Sequence, residues 1–125
     1  MTRIDYHALS LDHIIHDLTR IHERPADVTF IIREGIWCQG TSHQMEFPDL
    51  IVGYRGRRID DDDFCVPIEL KHCRDKREKA LHQLTNGAIF AETELNKMIA
   101  YGLFVVYNEQ FQYDVEKIRR EALIR

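Results

Sequence analysis

The sequence predicts an α/β (α+β) fold, a mixed β-sheet of about four strands flanked by helices. Three observations carry this expectation. Apolar residues recur at helical spacing near the start, in the second half and at the end of the chain. Short β-branched and aromatic runs stand between them. The resulting order is helix, three strands, helix, strand, helix, with no internal repeat and no low-complexity segment.

The first helix is expected from about Ala8 to His22, where Leu11, Ile14, Ile15, Leu18 and Ile21 form one apolar face. Pro25 ends it. Three strands follow: VTFIIR (Val28 to Arg33), FPDLIVGY (Phe47 to Tyr54) and FCVPIELK (Phe64 to Lys71). Pro67 has no N–H for a ladder bond, so it belongs at a bulge or on an unpaired side. Asp75, with Glu78 three residues later, reads as a capping box. It opens a long helix carrying Leu81, Leu84, Ala88, Ala91, Leu95 and Met98, which Gly87 is expected to bend. Leu103 to Tyr107 is the fourth strand, and Asp114 caps a last helix carrying Val115, Ile118 and Leu123.

The chain has 125 residues, 44% of them hydrophobic, which suits a single domain over residues 1–125. The net charge of −4 argues against a protein that coats duplex DNA, because such binding runs on a basic excess. It weighs less against an enzyme whose acidic metal site enters the same count. Three cysteines (Cys38, Cys65 and Cys73) without a CxxC pair suit neither a disulfide framework nor a four-thiolate zinc site. The first residues carry charges inside every apolar stretch, unlike a signal peptide, and no run is long enough to span a bilayer. The expected setting is reducing and cytoplasmic, with no membrane partner.

The chemistry concentrates at Pro48-Asp49 and Glu69-Leu70-Lys71. Alternation along a strand puts Glu69 and Lys71 on one face and Val66, Ile68 and Leu70 on the other. If the second and third strands pair antiparallel, Asp49 falls beside Glu69. Two carboxylates then converge with one ammonium, a donor set suited to a hard cation such as Mg²⁺. Such a cation lowers the pKa of a bound water and stabilises charge on a phosphate. Lys71 is placed to position the attacking water or to stabilise the developing charge.

This pattern resembles the PD-(D/E)XK nuclease superfamily, which includes many restriction enzymes and Holliday-junction resolvases. The matching letters are PD at Pro48-Asp49 and ELK at Glu69-Leu70-Lys71, and the element order resembles the family's core over most of the chain. The resemblance implies a restriction-endonuclease-like core and a Mg²⁺-dependent nuclease, with Mn²⁺ able to substitute. Asp49 and Glu69 would bind the metal, with the backbone carbonyl of Leu70 as a further ligand, and Lys71 would assist the attacking water. Some members carry a glutamine on the following helix, a position that Gln83 matches. Many place a carboxylate or a histidine on the first helix, for which Asp12, His13, His16 and Asp17 are the candidates.

Arg74, Lys76, Arg77 and Lys79 follow the ELK motif closely, and Arg55, Arg57 and Arg58 lie in the preceding loop. Arg74, Lys76 and Arg77 are the candidate phosphate-backbone contacts. The run Asp60 to Asp63 reads as a solvated loop. Cys65, His72 and Cys73 have no second pair to complete a zinc site. The expected activity is cleavage of nucleic acid, DNA before RNA, by a domain small enough to work as a homodimer. The alternatives are an RNA endonuclease like the viral cap-snatching domains and a non-catalytic binding module of the same fold.

Overall fold

A computed structural model describes residues 27–33, 47–56, 62–71, 73–106 and 109–124. The apolar runs pair into one six-stranded mixed sheet. Its strands are β1 (Val28–Arg33), β2 (Leu50–Tyr54), β3 (Phe64–Lys71), β4 (Met98–Ile99), β5 (Tyr101–Val106) and β6 (Glu109–Asp114). Their order is β1-β2-β3-β5-β6, with β4 beside β3. β1, β2 and β3 run antiparallel in sequence, β3 and β5 are parallel, and β5 and β6 are antiparallel. Helix α1 (Arg77–Thr93), entered through the 3-10 turn Arg74–Lys76, is the crossover that a parallel β3–β5 pair needs, and α2 (Val115–Ile124) follows β6. The helix expected over residues 8–22 lies outside the described residues.

Central strands β2, β3 and β5 are buried nearly throughout, as expected of strands covered on both faces. One face carries Leu50, Val52, Val66, Ile68, Leu103 and Val105. The other packs Ile51, Cys65 and Phe104 against Leu81, Leu84 and Ala88 of α1 and Ile118 of α2. Among the described residues both helices lie on this second face. Each fully buried aliphatic side chain contributes about 1.5–3 kcal/mol.

The strand count of about four is corrected to six by β4 and β6. β6 reads EQFQYD, and its glutamate, glutamines and aspartate are poor strand formers. Two things make it a strand. Phe111 and Tyr113 alternate onto the α1 face, and the register Val106↔Glu109 leaves only Tyr107 and Asn108 between the paired strands. The second strand starts later than expected: Phe47 and Pro48 precede it, and Asp49 sits in the bend before Leu50.

The long helix also differs at both ends. Asp75 does not cap it. The residue before the helix is Lys76, with no side-chain cap, because the 3-10 turn satisfies an entry donor through the backbone (Lys76 N–H to Cys73 O, 3.4 Å). The helix stops at Thr93, since Asn96 takes a left-handed backbone with φ 54° and turns the chain into β4. Met98 therefore lies on β4 opposite Phe64, 49% exposed, and is not part of the helical stripe. Asp114 does cap α2, accepting the Lys117 N–H at 2.8 Å.

Pro67 sits inside β3, the most internal strand, on the side where pairing changes partner. The Ala100 N–H reaches Cys65 O, so the backbone groups of Cys65 face β4 and β5. Pro67, two residues on, faces the same way. There β3 passes from its β4 pairs at Phe64 and Cys65 to its β5 pairs from Ile68 onward, so a missing donor breaks no ladder bond.

Candidate active site

Asp49, Glu69 and Lys71 are brought together by the β2–β3 register. Leu50 pairs with Ile68, so Asp49, one residue earlier, falls opposite Glu69. The Asp49 carboxylate Oδ2 accepts the Leu70 N–H at 2.8 Å, which fixes the bend against the end of β3. The Leu70 carbonyl is directed to the same side, since a strand residue's N–H and C=O point together. Lys71 Nζ lies 3.6 Å from Glu69 Oε2.

Glu69 does not face solvent. It lies opposite Phe104 of β5, on the face that α1 covers, and is only 1% exposed. Its Oε2 is buried with no hydrogen-bond partner among the described residues. Burial, first, and then the hydrogen bond and charge of the neighbouring Asp49 carboxyl push the Glu69 carboxyl up to about 10, against the pull of Lys71 and a backbone hydrogen bond from Asp49. Two carboxyl groups this close, one of them buried, must share either a proton or a cation.

Helix α1 holds this arrangement from behind. Gln83, 8% exposed, donates through Nε2 to the Phe47 carbonyl at 3.2 Å, tying the helix to the residue before Pro48-Asp49. Its Oε1 is buried without a hydrogen-bond partner among the described residues. Gly87 does not interrupt α1. It lets the helix close on the two prolines beside the carboxylates. A Cβ there would lie 2.5 Å from Pro48 Cγ and 3.2 Å from Pro67 Cβ.

The basic residues after β3 are exposed and do different things. Arg74 ion-pairs with Glu109 of β6, Arg77 lies over the Phe111 ring at 5.0 Å, and Lys76 extends from the 3-10 turn. Arg55 is exposed, while Arg57 and Arg58 lie outside the described residues, as do Asp12, His13, His16, Asp17, Cys38 and His72. Of the acidic run, Asp62 and Asp63 are exposed, and Asp63 accepts the Gly56 N–H at 3.1 Å. Cys65 is buried and free, its thiol pushed up to about 11 by burial, and Cys73 is exposed.

Sequence reasoning missed the supports of the site: the Phe47 carbonyl, the close approach at Gly87 and the aromatic partner of Arg77. Only the Phe-x-Tyr alternation at Phe111 and Tyr113 signalled any of them. Among the described residues no group of three or more His, Cys, Asp or Glu side chains is placed to hold a metal, and those residues offer a cation here two carboxylates and backbone oxygen. No helix among those residues is long and apolar enough to cross a membrane. Comparison with protein-family models, with curated proteins and with solved structures returned no match.

Proposed function

We propose that the chain is a Mg²⁺-dependent nuclease of the PD-(D/E)XK kind, hydrolysing phosphodiester bonds in nucleic acid, DNA before RNA. The observation that carries this is the Asp49–Glu69 pair: two neighbouring carboxyl groups at a strand end, one buried with an oxygen that accepts no hydrogen bond and has the Lys71 ammonium 3.6 Å away. Such a pair is costly unless something positive joins it. The donor set fits a hard divalent cation, which prefers carboxylate and carbonyl oxygens and keeps several waters.

Asp49 and Glu69 would hold the cation, with the Leu70 carbonyl as a further ligand. Once bound, it would supply charge stabilisation to the phosphate and lower the pKa of a coordinated water. Lys71, beside Glu69, orients the attacking water and donates to the charge that develops as the water oxygen adds to phosphorus and the ester P–O bond breaks. Gln83 acts one step back: by gripping the Phe47 carbonyl it keeps Asp49 against β3. Arg74, Lys76 and Arg77, exposed just beyond Lys71, would hold the substrate backbone.

The test combines two readouts. Wild type and Asp49→Asn are incubated with Mg²⁺ or Mn²⁺ and single-stranded, duplex, branched and RNA substrates, and both are titrated with Mn²⁺ by calorimetry. Cleavage and binding heat in wild type, both lost in Asp49→Asn, support the reading. Equal heats in the two proteins, or no cleavage of any substrate, overturn it.

A further inference from the structure

The row of residues that starts at the carboxylates continues across the sheet. Asp49 falls opposite Glu69, Glu69 pairs with Phe104, and Phe104 pairs with Phe111. Strand spacing places Phe111 roughly 10 Å from Glu69 along this row, on the same face. Phe104 and Phe111 stack at 5.6 Å with 27° between their planes, and the Arg77 guanidinium lies over Phe111 at 5.0 Å. The stack thus begins in the core and ends at an exposed cation.

That end opens into a cleft of about 580 Å³ between α1 and β6, lined among others by Arg77, Glu78, Leu81, Phe111, Tyr113 and Lys117. The volume is that of a small-ligand site. Its two cations differ from others nearby. Arg74 is neutralised by Glu109 and Arg119 by Glu92, whereas Arg77 and Lys117 have no ion-pair partner among the described residues. Glu78 is the single carboxylate among the lining residues, leaving the cleft net cationic.

We propose that this cleft binds an unpaired nucleotide of the nucleic-acid strand, its base stacked on the Arg77 plane and its phosphate drawn by Lys117. The inference rests on the nuclease reading for the identity of the ligand, and it names the substrate class as single-stranded or locally unpaired. Flat cationic and aromatic surfaces accept any base by its π-face, while a base inside a duplex offers none. α1 separates the two places, with Gln83 and Gly87 on its β2 side and Arg77, Glu78 and Leu81 on its β6 side. A strand reaching both crosses the 3-10 turn and the start of α1, where Arg74, Lys76 and Arg77 are exposed.

The test is fluorescence anisotropy in EDTA, which prevents cleavage. A labelled single-stranded oligothymidylate and a labelled duplex are bound to wild type, Arg77→Lys and Lys117→Ala over a range of salt. Both substituted residues are exposed, and thermal melts verify folding. Arg77→Lys keeps the charge and removes the plane, and is expected to weaken single-strand binding about tenfold while sparing duplex. Lys117→Ala is expected to lower the salt slope for the single strand by about one. Unchanged single-strand binding in both variants overturns the proposal, as does an equal loss for both substrates, or displacement by an acidic peptide but not by unlabelled oligonucleotide. A wild type that binds single strands through Arg77 yet cuts nothing with Mg²⁺ overturns the nuclease reading and leaves the cleft standing. A wild type that cuts while both variants bind normally does the reverse.

Discussion

Gln83 of α1 reaches across 3.2 Å to the backbone carbonyl of Phe47, two residues before Asp49. One buried hydrogen bond thus couples the helix to the position of a carboxylate on the sheet. Gln83→Ala removes this hydrogen bond, at a cost of about 0.5–1.5 kcal/mol. It is also expected to weaken Mn²⁺ binding, because the segment holding Asp49 is freed. Chemical denaturation and calorimetric titration on one preparation measure both. Loss of stability with unchanged Mn²⁺ affinity would show that Gln83 supports the fold and not the site.

Gly87→Ala sets two effects against each other. Alanine raises helix propensity by about 1 kcal/mol. The new Cβ, however, would lie 2.5 Å from Pro48 Cγ, and both prolines it meets are rings fixed to the backbone. Overpacking of this kind costs about 1–3 kcal/mol, so net destabilisation is expected, with Pro48 and Asp49 displaced. A thermal melt decides it. A rise in Tm would mean that α1 stands farther from the prolines.

Glu69 gives the metal-free protein a pH dependence whose sign is fixed. The unfolded chain ionises this carboxyl near its ordinary value of 4.5, while the folded chain keeps the proton up to about 10. Its contribution to stability is therefore complete below about 4.5 and is lost as pH rises toward about 10. Glu69→Gln, neutral throughout, should match wild type near pH 4 and exceed it at pH 8 by more than about 1.4 kcal/mol, the equivalent of one pKa unit. Denaturant melts in EDTA across this range test it. A constant gap between the two proteins would mean that Glu69 is already ionised.

Much of this was legible in the sequence because the decisive patterns are local. The two-residue alternation in FCVPIELK separates Glu69 and Lys71 from Val66, Ile68 and Leu70 whatever the tertiary fold, and the short polar stretch of sequence between Tyr54 and Phe64 suits an antiparallel β2–β3 pair. What was not legible depends on contacts between distant segments. The burial of Glu69 comes from α1 passing over its face, which no property of the ELK tripeptide reports. β6 has a polar composition and becomes a strand through a short connection and two aromatic side chains. Gly87 read as a bend in a helix, whereas its missing side chain matters for the prolines of two other segments. The end of α1 was missed because Leu95 and Met98 keep the helical spacing past Thr93, where the helix ends and Asn96 turns the chain.

Lys71 offers the most direct test, since its side chain is 19% exposed and lies 3.6 Å from Glu69 Oε2. Lys71→Ala removes the ammonium beside a buried carboxyl, so a loss of stability of about 0.5–3 kcal/mol with the fold retained is expected. Loss of a group that stabilises developing charge costs on the order of a hundredfold or more in rate. The measurement is a thermal melt and a Mg²⁺-dependent cleavage assay on the same samples of wild type and Lys71→Ala. The expected result is a cooperative melt at a modestly lower Tm, with cleavage lost. A variant that melts normally and cuts at the wild-type rate would contradict the assignment of Asp49, Glu69 and Lys71 as a catalytic centre.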